Sequence, residues 1–176
     1  MTTTPTIVAL GGEPASGKTT IFKLLRARFE RAIYPFQYGL VRGMSDRDMK
    51  VLFIGVYDNS TWEGCDKLSM SVQPDFEKMV KSLTGKDCVI YIEGDRLFNP
   101  SLFRRFQIQS VVIHASPGTL SHRHKLRADS QGESFLKAKR TKLRRMVDEF
   151  KITTMPNETP EDQKLIVDWL HSKAKR

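Results

Sequence analysis

The residues with the clearest chemical meaning form a loop near the start of the chain, Gly12-Glu13-Pro14-Ala15-Ser16-Gly17-Lys18-Thr19. They match G-x-x-x-x-G-K-[ST], the phosphate-binding loop of nucleotide hydrolases and kinases. Glycines let such a loop wrap tightly and point its N–H groups at phosphate oxygens. The ammonium group of Lys18 can reach the β- and γ-phosphates, and the hydroxyl group of Thr19 can hold Mg²⁺. The sequence therefore predicts that this loop and the following Thr20 bind ATP.

The segments on either side of the loop supply the context that the motif requires. Residues 6–10 form an apolar run that predicts a buried strand, and residues 20–29 have the pattern of a helix. The start of that helix would add partial positive charge where the phosphates bind. The strand–loop–helix order favours a phosphate-binding loop over a chance match in a glycine-rich turn.

Four more apolar runs predict strands at residues 51–57, 88–92, 110–114 and 152–155. Residues 33–41 also have strand character, and residues 44–49 have the composition of a turn. Helices are predicted at residues 75–83, 101–106, 134–150 and 160–173. Continuous apolar strands separated by helices are typical of a parallel sheet covered on both faces. We therefore predict one α/β domain over residues 1–176, with three layers and a mainly parallel sheet of about five strands.

Acidic side chains follow two of these predicted strands, where the ligands of an open parallel sheet bind. Asp58 follows the strand at 51–57, and Glu93 and Asp95 follow the strand at 88–92. Phosphoryl transfer uses a carboxylate that coordinates Mg²⁺, and often another that accepts a proton. We predict that Asp95 coordinates Mg²⁺, with Glu93 as the alternative ligand. Asp58 is predicted to accept the proton of the attacking hydroxyl group. Arg96 is predicted to stabilise the negative charge of the transferred phosphoryl group. Helix capping or pairing with arginines is the alternative role of these acids.

Positive charge is concentrated in one segment of a chain whose net charge is +9. Residues 121–145 hold nine lysines or arginines and two acids, a net charge of +7. Such a block attracts polyanions such as nucleic acid. A solvated helix face, or the arginine-rich lid of a nucleotide kinase, has the same composition. Arg123 and Arg127 lie four residues apart and would share one helix face, from which a lid could close over ATP.

The remaining composition narrows the class of protein. The cysteines, Cys65 and Cys88, fit no metal-ligand spacing and are expected to stay reduced. No apolar run is long enough for a membrane helix, and the first residues lack a signal-peptide pattern, so we expect a cytoplasmic protein without a membrane partner. The Asn-Lys-x-Asp motif of guanine recognition does not occur. A small ATP-dependent kinase with a P-loop kinase fold is the interpretation that remains.

The motifs that suggest a particular kinase family extend over nearly the whole chain. They include Gly55-Val56-Tyr57-Asp58, Cys65-Asp66-Lys67, Glu93-Gly94-Asp95-Arg96 and Arg140-Thr141-Lys142, within residues 11–19, 55–58, 64–74, 93–99, 131–136 and 140–142. In these residues the chain resembles a family of bacteriophage P-loop kinases related in fold to thymidylate and nucleoside kinases. Cys65-Asp66-Lys67 stands where that family more usually has Thr-Asp-Arg.

The resemblance implies a kinase that uses ATP to phosphorylate the hydroxymethyl group of 5-hydroxymethyluracil in phage DNA. This step activates the base for thymidine hypermodification, which shields the phage genome from host restriction. We expect DNA contacts from Asp66, Lys137, Lys139, Arg140 and Lys142, with Arg144 and Arg145 also steering DNA. Removing the charges of Lys137, Lys139, Lys142, Arg144 and Arg145 is expected to leave ATP affinity unchanged, because these residues should lie beyond the lid arginines Arg123 and Arg127.

Two other functions stay open from the sequence. One is a kinase of free nucleosides or nucleoside monophosphates, and the other is a non-catalytic DNA-binding protein switched by ATP. If the target base lies in duplex DNA, it must leave the stack. Tyr57, Trp62 and Phe98 are candidates for a platform that would hold it, although each also fits core or loop packing.

Overall fold

The computed structural model describes residues 3–29, 32–58, 63–126 and 132–174. The elements follow in the order β1 (Thr6–Gly12), α1 (Lys18–Ala27), β2 (Tyr34–Tyr38), β3 (Val41–Ser45), β4 (Val51–Ile54), a 3₁₀ helix (Cys65–Lys67), α2 (Gln73–Ser82), β5 (Val89–Glu93), α3 (Pro100–Arg105), β6 (Ile108–His114), α4 (Pro117–Leu126), α5 (Glu133–Phe150), β7 (Thr153–Pro156) and α6 (Pro160–Ser172). No helix in these ranges is both long and apolar enough to cross a membrane.

The strands form one sheet in the order β2-β3-β4-β5-β1-β6-β7. Strands β4, β5, β1, β6 and β7 are parallel, and they correspond to the five apolar runs. The prediction of about five strands was too low, because an antiparallel hairpin, β2–β3, adds two more at one edge. A turn at Gly39, whose φ is 55°, divides the segment that the sequence presents as one strand.

Strand β1 is the middle one of the five parallel strands, and its side chains enter both cores. Ile7 and Ala9 join the cluster under α2, α3 and α5, and Val8 and Leu10 join the cluster under α1 and α6. Successive side chains of a strand point to opposite faces, so a strand covered on both faces must be apolar throughout. This arrangement places the carboxyl end of β1, and the loop that follows it, at the end of the sheet where the parallel strands terminate.

Both cysteines are buried free thiols. The Sγ atom of Cys65 donates a hydrogen bond to the carbonyl oxygen of Ile54 at 3.1 Å. Burial raises the pKa of both thiols, and the negative charge of Glu93 raises the pKa of Cys65 further.

We expect both thiols to react slowly with an aromatic disulfide reagent at pH 8 in the folded protein. The thiolate is the reactive form, and a raised pKa lowers its fraction at that pH. The reaction is followed by absorbance, with the protein in denaturant as the control in which both thiols react. Rapid reaction of both thiols without denaturant would contradict this packing.

Candidate active site

The predicted phosphate-binding loop connects the end of β1 to the start of α1. The loop reverses direction through left-handed conformations at Ala15 (φ 62°) and Gly17 (φ 98°). A Cβ atom on Gly12 would lie 2.5 Å from Ser16 Oγ and 2.8 Å from the carbonyl oxygen of Ile113, so only glycine fits there. The strand, loop and helix that the sequence predicts around the motif are all present.

Polar groups of the loop are arranged to receive an anion. Lys18 Nζ donates to the carbonyl oxygens of Gly12 at 2.9 Å and Glu13 at 3.0 Å, so its ammonium group crosses the loop. Ser16 is fully buried, and its hydroxyl oxygen has no hydrogen-bond partner among the residues that the structure describes. A buried hydroxyl without a partner is costly, and a phosphate oxygen would provide one. These residues fit the phosphates of a nucleotide.

Asp95 lies just beyond the carboxyl end of β5 and is surrounded by lysines. Lys139 donates a hydrogen bond to it, and Lys142 Nζ lies 3.8 Å from Oδ1. Burial alone would raise the pKa of Asp95, but the hydrogen bond from Lys139 and the positive charges of Lys139, Lys142 and Lys18 outweigh it and lower that pKa. The ionised carboxylate is the form that binds Mg²⁺.

The oxygen groups of Thr19 and Asp95 are the hard ligands that Mg²⁺ prefers, so the residues present fit the ion. The backbone N–H of Gly94, the residue before Asp95, donates to the carbonyl oxygen of Leu10 in β1 at 3.3 Å, which places Asp95 beside the strand that leads into the phosphate-binding loop. Within the described ranges, no cluster of three or more His, Cys, Asp or Glu side chains could hold a metal ion. A site that also uses Thr19 and the phosphates of the nucleotide, as expected for Mg²⁺ in kinases, does not need such a cluster.

Glu93 is the last residue of β5 and is buried, with 3% of its surface exposed. A Cβ atom on Gly64 would overlap the Glu93 carboxylate, so glycine at 64 makes room for it. Burial raises the pKa of the neighbouring Tyr57 well above its usual value, and the charge of Glu93 raises it further. Glu93 is therefore buried against the residues that follow β4, whereas Asp95 is more exposed to solvent.

Asp58 and Arg96 contact the segment around the 3₁₀ helix. Both oxygens of Asp58 accept hydrogen bonds from Lys67 Nζ, at 2.9 and 2.8 Å. Arg96 donates to the carbonyl oxygens of Leu68 at 3.0 Å and Asp66 at 3.2 Å, and it also contacts Met70. These contacts give Arg96 a part in holding residues 66–70, and its assigned effect on the transferred group stays a prediction.

Asp66 joins this segment to the end of β5. Its Oδ1 atom accepts a hydrogen bond from the backbone N–H of Asp95 at 2.9 Å. The contact brings residues 64–67, one of the motifs of the resemblance, next to the candidate Mg²⁺ ligand. Asp66 thus lies at the site, and the prediction that it contacts substrate is compatible with its position.

The first helix of the basic segment, α4, meets the phosphate-binding loop through Arg123. Its guanidinium donates to the carbonyl oxygens of Ser16 at 3.2 Å and Asn157 at 2.9 Å. A cavity of about 200 Å³ lies beside the loop. It is lined by Gly17, Thr20, Arg123, Leu126, Asn157 and Gln163. The position suits a nucleotide base next to its phosphates. Arg127, the second predicted lid arginine, lies outside the described residues.

The second basic helix, α5, contacts both ends of the site. Arg140 Nε donates to Glu13 Oε2 at 2.6 Å, while Lys139 and Lys142 contact Asp95. Lys139 and Lys142 were expected beyond the lid arginines, without influence on ATP, and the structure places them beside Asp95. Arg140, expected to contact DNA, lies beside the loop. The reason is the packing of α5 across the carboxyl edge of the sheet, which sequence spacing does not reveal.

A groove of about 610 Å³ follows the same helix away from Asp95. It runs between α5 and Pro100, the first residue of α3. Its charged groups are Lys137, Lys142, Arg145 and Glu149, and Glu149 is paired with Arg104. Met146 and Ala138 give it an apolar part. Of the predicted DNA-contacting residues, Lys137 and Lys142 line this groove, and Lys142 also reaches Asp95.

The three proposed aromatic platforms have different positions. Phe98 is 2% exposed, and its ring occupies the space beside Gly11, so it cannot stack on a base. Tyr57 packs under the guanidinium of Arg26, 4.5 Å from the ring centre, and donates to the carbonyl oxygen of Ile54 at 3.2 Å. Trp62 lies outside the described residues. The packing role suggested as the alternative is therefore the one found for Phe98.

Asn157 is a site residue that the sequence did not suggest. It follows β7, is fully buried, and donates to the carbonyl oxygen of Ser16 at 2.6 Å. A single asparagine before a helix has no motif around it, and its usual roles are turns and caps. Only the folded arrangement brings it to the phosphate-binding loop.

The parallel sheet and the loop at the end of its central strand define an α/β protein of the P-loop class. No family model and no curated protein matches the chain. Among solved structures, the chain is similar to a gluconokinase from Sinorhizobium meliloti 1021, with a TM-score of 0.45 and 14% identity over 97% of this chain and 89% of the other. The class of this chain rests on its own geometry.

Proposed function

We propose that this protein is an ATP-dependent kinase that phosphorylates the hydroxymethyl group of 5-hydroxymethyluracil in phage DNA. The observation that carries the proposal is the course of helix α5. Its cations extend from Glu13 of the phosphate-binding loop, past Asp95, into an open groove. A polyanion lying in that groove would bring a base close to Asp95 and the loop. The identity of the base comes from the motif resemblance.

The reaction assigned to the site is an in-line transfer. The hydroxymethyl oxygen forms a bond to the γ-phosphorus of ATP while the bond from that phosphorus to the bridging oxygen of ADP breaks. Lys18 stabilises the negative charge that develops on the phosphates. Mg²⁺, held by Thr19 and Asp95 when bound, supplies further positive charge there. Asp58 is the proposed acceptor of the hydroxyl proton.

The experiment that tests the proposal uses four acceptors with labelled ATP and Mg²⁺. They are DNA containing 5-hydroxymethyluracil, the same DNA with thymine, free 5-hydroxymethyldeoxyuridine, and its monophosphate. After digestion, mass analysis of the nucleosides should show a phosphorylated hydroxymethyl group only with the first DNA. Label in the free nucleoside or monophosphate alone would favour the nucleotide-kinase alternative, and ATP binding without transfer would favour the non-catalytic one.

The groove also predicts how DNA binding depends on salt. Replacing Lys137 and Arg145 by glutamine should make the negative slope of log K against log salt shallower by about 2. Each lost phosphate contact removes roughly 0.9 from its magnitude. The matched control replaces Lys81 and Lys86, which are exposed, do not line the groove and lie outside the basic segment. It removes the same charge and should leave the slope nearly unchanged.

Binding is measured by fluorescence anisotropy over a salt series, with ATP affinity measured in parallel. An equal slope for the groove variant and the wild type would show that DNA does not lie in this groove. Weakened ATP binding in the groove variant would point instead to a lid that serves a free nucleotide.

A further inference from the structure

We propose that Asn157 is a positioning residue that orients the phosphate-binding loop for its ligand. The carbonyl oxygen of Ser16 accepts two hydrogen bonds from outside the loop, from Asn157 Nδ2 at 2.6 Å and from Arg123 Nη1 at 3.2 Å. Both donors come from elements that follow the loop by more than a hundred residues. The loop is therefore held by the protein around it as well as by its own backbone.

The direction of this carbonyl group determines the direction of a neighbouring N–H group. The carbonyl of Ser16 and the N–H of Gly17 belong to one planar trans peptide, in which the two groups point to opposite sides. With the carbonyl held on Asn157, the Gly17 N–H points away from Asn157. A phosphate-binding loop functions by aiming such N–H groups at the anion. The hydrogen bond of Asn157 therefore fixes an anion donor of the loop.

Asn157 is itself held in place on two sides. Its backbone N–H donates to the carbonyl oxygen of His114 at 2.8 Å, and its own carbonyl oxygen accepts from Arg123 Nη2 at 2.9 Å. The side chain lies so close to the loop that a Cβ atom on Gly17 would be 2.5 Å from Nδ2. The arrangement requires a donor at 157 and no side chain at 17. The proposal concerns binding of the nucleotide only, so it does not depend on which molecule accepts the phosphoryl group.

The test is an Asn157→Asp variant, which keeps the shape of the side chain and replaces the donor by a second acceptor. We expect its affinities for Mg-ATP and for inorganic tripolyphosphate to fall together, by about tenfold to a hundredfold, because a buried hydrogen bond is lost and two acceptors are opposed. Tripolyphosphate has no base, so it reports on the loop and not on the cavity beside it. Both affinities are measured by titration calorimetry.

A Thr159→Ala variant is the matched control for general loss of stability. Thr159 caps α6 two residues later, and its hydroxyl accepts from the N–H of Asp162 at 3.1 Å, a contact within that helix and not with the loop. This variant should have a lower melting temperature and unchanged tripolyphosphate affinity.

Unchanged tripolyphosphate affinity in a folded Asn157→Asp variant would overturn the proposal, as would an equal loss in Thr159→Ala. Weaker ATP binding with unchanged tripolyphosphate binding would place Asn157 in recognition of the base, and would also overturn it. If the aspartate variant does not fold, the same two affinities are measured for an Asn157→Ser variant. A serine hydroxyl is too short to reach the carbonyl oxygen of Ser16 at the same backbone position, so the same joint loss is expected.

Discussion

Replacing Lys18 by alanine is expected to lower kcat for phosphoryl transfer by about a thousandfold or more while the fold is retained. The ammonium group of Lys18 crosses the phosphate-binding loop between two carbonyl oxygens, and it is only partly buried. Its charge acts on the negative charge that develops in the transition state, and removing one such preorganised group costs about 10²–10³ in rate. Loss of the contact with the nucleotide should also weaken ATP binding, which raises KM rather than lowering kcat.

The rate is measured with DNA containing 5-hydroxymethyluracil as acceptor, and the fold by circular dichroism. Lys86→Ala is the matched control, because Lys86 is exposed and precedes β5, at the edge of the sheet opposite the loop. Near-normal phosphorylation by the Lys18 variant would show that the loop is not the site of transfer.

Asparagine at position 95 or 58 is expected to lower the single-turnover rate more than the nucleotide affinity. Asn keeps the shape of each side chain and removes its charge. Loss of a proton acceptor at Asp58 should cost about 10²–10⁴ in rate. Loss of the Asp95 carboxylate should also raise the Mg²⁺ concentration needed for half-maximal rate, because this group is a proposed ligand of the ion.

The pH dependence separates Asp95 from other groups. Its pKa is lowered from the usual 3.8, so it stays ionised at every pH above that value. Protonation of Asp95 therefore does not lower the rate between pH 5 and 8, and any such loss belongs to another group. Its contribution to stability is complete above pH 3.8 and is lost as the pH falls through the lowered pKa.

Single-turnover rates and nucleotide affinities are compared with those of Asp87→Asn. Asp87 is exposed in the turn before β5, away from the carboxyl edge of the sheet. If both the Asp95 and Asp58 variants keep most of the wild-type rate, other acids carry the reaction, and buried Glu93 is the next to be replaced.

The sequence alone determined the phosphate-binding loop and the sheet that presents it. The spacing of Gly12, Gly17 and Lys18 is a local property, and a loop of this length between a strand and a helix has few conformations. Apolar runs without alternation predict strands covered on both faces, which is why the five parallel strands could be predicted. The edge hairpin was underestimated because β2 is mostly exposed and lacks that pattern.

Only the tertiary structure decided which distant side chains meet at the loop. Ser16 and Asn157 are 141 residues apart, and no periodicity or motif connects them. The same holds for Arg140 with Glu13 and for Lys139 with Asp95, since each pair depends on how α5 crosses the edge of the sheet. Local patterns report burial and turns along the chain. The partner of a charged side chain depends on the packing of whole helices and strands. The sequence therefore predicted that the site has basic residues, and only the fold showed which acidic groups they contact.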